Sequence, residues 1–226
     1  MVCDCAMAGS PMEDFAAAKQ QAKRERKDVI LSFSGYRWWW PTIGIDTDSD
    51  DPWIKEHFVM LEIPLNAAAS GGKATPVDQD LVELRKKFHQ NLVEPNPAIF
   101  LLDASGRTYA ELSSDEQPAE IYIPELKEAQ LRHAKRDAAF EQARQAKGLK
   151  KARLLNNGLR ALCDDQEYGC DDLLVRSYQD VLAEIIRNDP KDVLGRAEDL
   201  KEQKLFECDR ENENNANKAR RRKRTC

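Results

Sequence analysis

The sequence predicts an α/β layered domain followed by an α-helical extension. Short, nearly continuous apolar runs at 29–33, 59–63 and 98–102 read as buried strands. Stretches of good helix formers separate them. After about residue 124 the composition shifts to Ala, Lys, Arg, Glu and Gln, with apolar residues at helical spacing.

Taken in order, residues 12–27 are rich in Ala, Lys and Gln, and Phe15, Ala18 and Ala22 fall near one helical face. Val29–Phe33 is the first strand. Pro52–His57 reads as a short helix and Val59–Ile63 as the second strand. Residues 66–78 carry Ala, Ser, Gly, Lys and Pro and read as a surface loop. Residues 80–90 return to helix, with Leu81, Leu84 and Phe88 on one side. Ala98–Leu102 is a strand, DASGR at 103–107 a turn with Gly106 suited to positive φ, and Thr108–Leu112 the returning arm of a hairpin.

Beyond Pro124 one helix is expected to run to about Lys147, with Gly148 as an interruption. Ala152, Leu155, Leu159 and Leu162 then make an amphipathic stripe. Leu174, Tyr178, Val181, Leu182, Ile185 and Ile186 make a second. Two stripes joined by a short loop predict a helical hairpin. Asp189 and Pro190 end it and are expected to cap a third helix over 191–206. The expected organisation is a flexible N-terminus over 1–11, an α/β domain over 12–125, a helical extension over 126–206 and a polar, basic tail over 207–226.

The most informative stretch is VILSFSGYRWWWPT, residues 29–42. A strand runs into a small-residue turn, and three tryptophans and a proline follow. The stretch resembles the active-site segment of thioredoxin-like proteins, where a strand ends in W-C-x-x-C at the start of a helix. Trp38 takes the place of the motif's tryptophan, and Trp39 and Thr42 occupy its two cysteine positions. VEPNPAIFLLD, residues 93–103, is similar to the family's proline segment, with Pro97 at the cis-proline position and Ala98 where threonine is usual. Cis bonds are essentially confined to X-Pro, so Asn96–Pro97 is a chemically reasonable place for one. DASGR before a strand resembles the family's D-x-x-G-K hairpin. The resemblance covers roughly residues 12–125. It implies a thioredoxin-like three-layer sandwich whose redox chemistry is gone, because a thioredoxin nucleophile must be a thiolate. Trp39 has no ionisable group, and a Thr42 hydroxyl cannot form a disulfide.

The function expected is therefore a redox-inactive protein- or peptide-binding module rather than an enzyme. Its binding face is Trp38, Trp39, Trp40, Pro41, Thr42, Asn96 and Pro97; the plainer reading of the tryptophans is an apolar plug packed over the sheet edge. The alternative is a thiol-disulfide oxidoreductase using displaced cysteines, such as Cys3 with Cys5 or Cys163 with Cys170. None of the six cysteines forms C-x-x-C, and free thiols are the expected state. A Cys163–Cys170 bridge requires the intervening loop to fold back to Cα atoms within about 7 Å.

Other classes find little support. IDTDSDD, residues 45–51, superficially resembles a calcium loop, but Asp51 and His57 stand where Gly and Glu are needed, so an acidic cap before Pro52 is expected and no metal. His57, His89 and His133 are scattered and pair with no nucleophile by spacing. No phosphate-binding glycine motif is present, so neither nucleotide nor other cofactor is expected. The net charge of −5 gives no general case for nucleic-acid binding. KARRRKRTC, residues 218–226, is read as a solvated basic tail, with nucleic acid or anionic membrane contact not expected. The chain shows no readable signal peptide and no apolar run long enough to span a bilayer, which by default predicts a cytoplasmic protein.

Overall fold

A computed structural model describes residues 10–34, 51–64, 76–88, 98–112, 119–163 and 177–197. The chain divides into two compact units, Met1–Ala129 and Gln130–Cys226, and the division falls inside one long helix.

The first unit opens with α1 (Pro11–Glu25). Ser10 caps it through a capping box: the Glu13 N–H donates to Ser10 Oγ at 3.4 Å, and the Ser10 N–H donates to Glu13 Oε2 at 2.9 Å. Pro11 at the first helical position loses no needed donor. Arg26, at φ 56°, turns the chain back left-handed after the last turn. Strand β1 (Asp28–Ser34) follows, then α2 (Pro52–His57), β2 (Phe58–Pro64), α3 (Pro76–Lys87), β3 (Ala98–Leu102) and β4 (Thr108–Leu112). Asp51 caps α2, its Oδ1 accepting from the Trp53 N–H at 2.8 Å. The expected cap before Pro52 is therefore present.

The four strands form one mixed sheet in the order β2-β1-β3-β4. β1 and β2 run parallel, while β3 is antiparallel to both β1 and β4. The fold is α/β, with four strands among the described residues between 28 and 112, as the sequence predicted. One sheet face carries Val29, Leu31, Phe33, Val59, Leu61, Ile63, Phe100 and Leu102, which pack with Phe15, Ala18 and Ala22 of α1 and Leu81 and Leu84 of α3 in one cluster. The opposite face, with Ile30, Ser32, Ile99 and Leu101, is buried as well, as are Ile54 of α2 and Leu126 and Ala129 early in α4 (Ala119–Arg144). Burial on both faces explains why the strands read as apolar runs rather than alternating ones. Each fully buried Leu, Ile or Phe contributes about 1.5–3 kcal/mol, so this two-sided core dominates the unit's stability. In the β3–β4 turn Asp103 Oδ1 accepts from the Ser105 and Arg107 N–H groups at 2.9 and 3.0 Å. Gly106 sits at φ 84°, and an added Cβ would lie 2.5 Å from the Lys19 side chain.

The second unit contains the rest of α4, α5 (Gly148–Leu162) and α6 (Gln179–Asn188). Ala152, Leu155, Leu159 and Leu162 of α5 are buried, with Tyr178, Val181, Leu182 and Ile185 along α6. The two helices pack on each other, and Lys151 and Glu184 pair between them; Leu174 and the connection that would make them a hairpin lie outside the described residues. At Gly158 an added Cβ would lie 2.6 Å from the Phe140 ring and 3.3 Å from the Arg136 carbonyl, so the absence of a side chain there lets α5 approach α4. α4 begins at Ala119 with Pro124 inside it, rather than at Pro124.

Two expectations are corrected. No helix starts at Lys191: Asp192 (φ 50°) and Gly195 (φ 67°) are left-handed, and the Asp189 carboxylate accepts from the Leu194 N–H at 2.8 Å. Asp189 closes a turn instead of capping a helix, and helix resumes only at Arg196. The thiol of Cys163, expected to be free, is disulfide-bonded; its partner lies outside the described residues. Cysteine spacing could not show this, because bridging depends on spatial separation. Reducing the disulfide is expected to lower the stability of the helical unit by about 2–4 kcal/mol. Hydrogen exchange of the α5 and α6 amides with and without dithiothreitol checks it; unchanged protection would show that the bridge constrains nothing in the two helices.

Candidate functional site

The seven residues predicted to form the binding face, Trp38, Trp39, Trp40, Pro41, Thr42, Asn96 and Pro97, lie outside the described residues, as does the Asn96–Pro97 peptide bond. The frame that holds their two segments is described. β1 ends at Ser34, the last residue before the segment bearing the tryptophans. β3 begins at Ala98, the residue after Pro97. In the β1–β3 ladder Phe33 pairs with Ala98, and in the β1–β2 ladder Ser34 pairs with Pro64. Antiparallel partners have Cα atoms about 4.5–5.5 Å apart. The two segments therefore join the sheet at adjacent strands and at the same end. Trp39 lies five residues beyond Ser34, a reach of at most roughly 17 Å. The register permits Pro97 and Trp39 to meet without imposing it.

Beneath that end the core is aromatic. Phe33 of β1 lies 5.9 Å from Phe88, just after α3, and 6.1 Å from Phe100 of β3. Phe88 and Phe100 are 5.3 Å apart, and Phe15 of α1 meets Phe88 edge-on at 5.6 Å. These separations are those of mutually attractive ring pairs, each worth about 0.5–1.5 kcal/mol beyond the area buried.

Sequence reasoning did not identify a second aromatic group in this unit. Trp53 of α2 stacks on His57 at 4.7 Å and 27°, and His57 Nδ1 lies 2.8 Å from the Trp53 carbonyl oxygen. Lys127 of α4 places its ammonium 4.9 Å from the Trp53 ring. The Trp53–His57 spacing of one helical turn was a readable signal. The contribution of Lys127 was not, since it comes from a distant helix.

In the helical unit the buried polar centre is Arg136, 4% exposed. It donates to the Tyr178 hydroxyl, and through Nε to Asp137 at 2.9 Å. Its guanidinium lies over the Phe140 and Tyr178 rings at 5.8 and 5.6 Å. Burial alone would lower its pKa, but Tyr178 and Asp137 outweigh burial and push it above the usual range. His133 Nε2 lies 3.4 Å from Asp137. The ring stacking and the buried hydroxyl partner mark this as a packing centre. Cys163, the disulfide-bonded residue, is the C-terminal cap of α5.

Among the described residues no group of three or more His, Cys, Asp or Glu side chains is placed to hold a metal ion, and no helix is long and apolar enough to cross a membrane. No protein-family model and no curated protein matches the chain. Among solved structures the chain is similar to a DsbH oxidoreductase at 20% identity and a TM-score of 0.37, over 57% of this chain and 90% of that one. A likeness at that level carries no functional argument.

Proposed function

We propose that this chain is a redox-inactive thioredoxin-like protein that binds a protein or peptide partner through the face formed by Trp38, Trp39, Trp40, Pro41, Thr42, Asn96 and Pro97. The observation that supports it is the register of β1 against β3, which roots the tryptophan segment and the Pro97 segment on adjacent strands at one end of the sheet. The sequence adds that no cysteine stands at position 39 or 42. Tryptophan and proline together favour an extended peptide: the rings supply large apolar contact at low entropic cost, and tryptophan is over-represented among residues that dominate binding energy.

The disulfide at Cys163 favours a second reading, a thiol-disulfide oxidoreductase using displaced cysteines. Its position argues against a nucleophilic role. Reactive thiolates are stabilised at helix N-termini, whereas Cys163 caps a helix C-terminus, where the dipole disfavours the anion.

The test is titration of the full chain with reduced, carboxymethylated lactalbumin, a permanently unfolded polypeptide, by calorimetry. The wild type is expected to bind. Trp39→Ser with Trp40→Ser should weaken binding at least about tenfold, or ~1.4 kcal/mol, with far-UV circular dichroism unchanged. Equal affinity in the folded variant, or no heat from the wild type, would count against the proposed face.

A further inference from the structure

Lys19 of α1 and Lys87 at the end of α3 share one aromatic ring. Their ammonium nitrogens lie 4.7 and 4.6 Å from the Phe15 centroid, and Lys87 is also 5.9 Å from that of Phe88. α1 and α3 pack on each other through Phe15, Leu81, Leu84 and Phe88, so the ring is buried and fixed. Among the described residues neither lysine has a carboxylate within ion-pair distance. Glu83, one turn before Lys87, is paired with Lys86 at 2.6 Å. Arg85, on the same helix, is buried. Two like charges are thus held together at one apolar ring with no counter-anion among the described residues. Cation–π attraction and the negative end of α3 favour both ammonium ions. Against that, the ring faces displace water from Lys87 Nζ and Lys19 repels it, and the direction that prevails for Lys87 is a lowered pKa. The Lys87 side chain as a whole remains exposed.

We propose that Lys87 is a covalent N-acylation site, the most nucleophilic lysine among the described residues toward activated acyl donors such as acyl phosphates. The ammonium loses its proton to solvent. The freed amine attacks the carbonyl carbon, a C–N bond forms, and the C–O bond to phosphate breaks. Phosphate leaves with the electron pair, and the remaining proton on the attacking nitrogen passes to solvent; nothing is oxidised or reduced. The amide product is neutral, so the reaction also removes the repulsion between Lys87 and Lys19.

The experiment is limited acetylation of the full chain with acetyl phosphate, followed by proteolysis and mass spectrometry of each lysine. Near neutral pH Lys87 should react about three-fold faster than Lys86, its exposed neighbour. That figure reflects a larger fraction of free amine, offset by the weaker nucleophilicity of a less basic group, as for thiols. At high pH, where both amines are free, the advantage should vanish. Lys19→Gln should reduce the ratio near neutral pH, with circular dichroism confirming the fold. A ratio of one or below in the wild type would overturn the proposal, as would a ratio that Lys19→Gln leaves unchanged.

Discussion

Arg136→Ala is expected to destabilise the helical unit by about 2–4 kcal/mol. The magnitude follows from what the substitution leaves behind. Tyr178 is fully buried, and its hydroxyl loses the Arg136 donor. The space occupied by the guanidinium over the Phe140 and Tyr178 rings becomes a cavity. Asp137, by contrast, is 56% exposed and simply regains water, so the ion pair itself accounts for little of the loss. Arg136→Met should cost less than Ala, because it refills the volume. Combining it with Tyr178→Phe should recover stability, since replacing both buried polar partners by apolar groups is nearly neutral. Hydrogen exchange of the α4–α6 amides is the suitable measurement, because a chain with two units need not unfold in one step. If Arg136→Met is as damaging as Ala and the pair of changes is merely additive, the Arg136–Tyr178 contact is not what holds α4 to α6.

That contact also marks where sequence reading stops. The strands were legible because both sheet faces are buried, so Val29–Phe33 and Ala98–Leu102 are nearly continuous apolar runs that little else in the chain imitates. The α5 and α6 stripes were legible because the 3.6-residue period selects Leu155, Leu159, Tyr178 and Ile185. The capping box at Ser10 and Glu13 is legible in the sequence and starts α1 at Pro11, one residue before the expected Met12. The turn after α6 misled for a physical reason. Asp-Pro is a common helix start, yet the Asp189 carboxylate here folds back onto the Leu194 N–H. Arg136 and Tyr178 stand 42 residues apart in the chain, and no local pattern links them. The candidate face stands between these cases. Its residues were picked from a short motif likeness, while the β1–β3 register that roots its two segments together is a tertiary property.

Wild-type protein is expected to show no disulfide reductase activity, and Trp39→Cys with Thr42→Cys to create it. Trp39 and Thr42 supply neither a thiolate nor a resolving thiol, so the exchange reaction lacks both of its partners. Cysteines at 39 and 42, three residues apart, fall within bridging distance if the segment after β1 opens a helix, as the likeness to W-C-x-x-C implies. Pro41 would then stand in the first turn, where a missing N–H costs nothing. The positive end of that helix would lower the pKa of the first thiol by favouring its anion. The double variant should form a reducible 39–42 bridge, identified by mass spectrometry of the linked peptide, and should gain measurable insulin reduction. Removing a tryptophan costs about 3–5 kcal/mol where the ring is buried, so circular dichroism must first show a folded chain. The aromatic frame of Phe15, Phe33, Phe88 and Phe100 does not involve either position and should keep the sheet intact. A folded variant with two free, unreactive thiols would show that 39 and 42 are not the motif positions. Reductase activity already present in the wild type, and lost on replacing Cys163, would turn the argument to the displaced-cysteine enzyme instead.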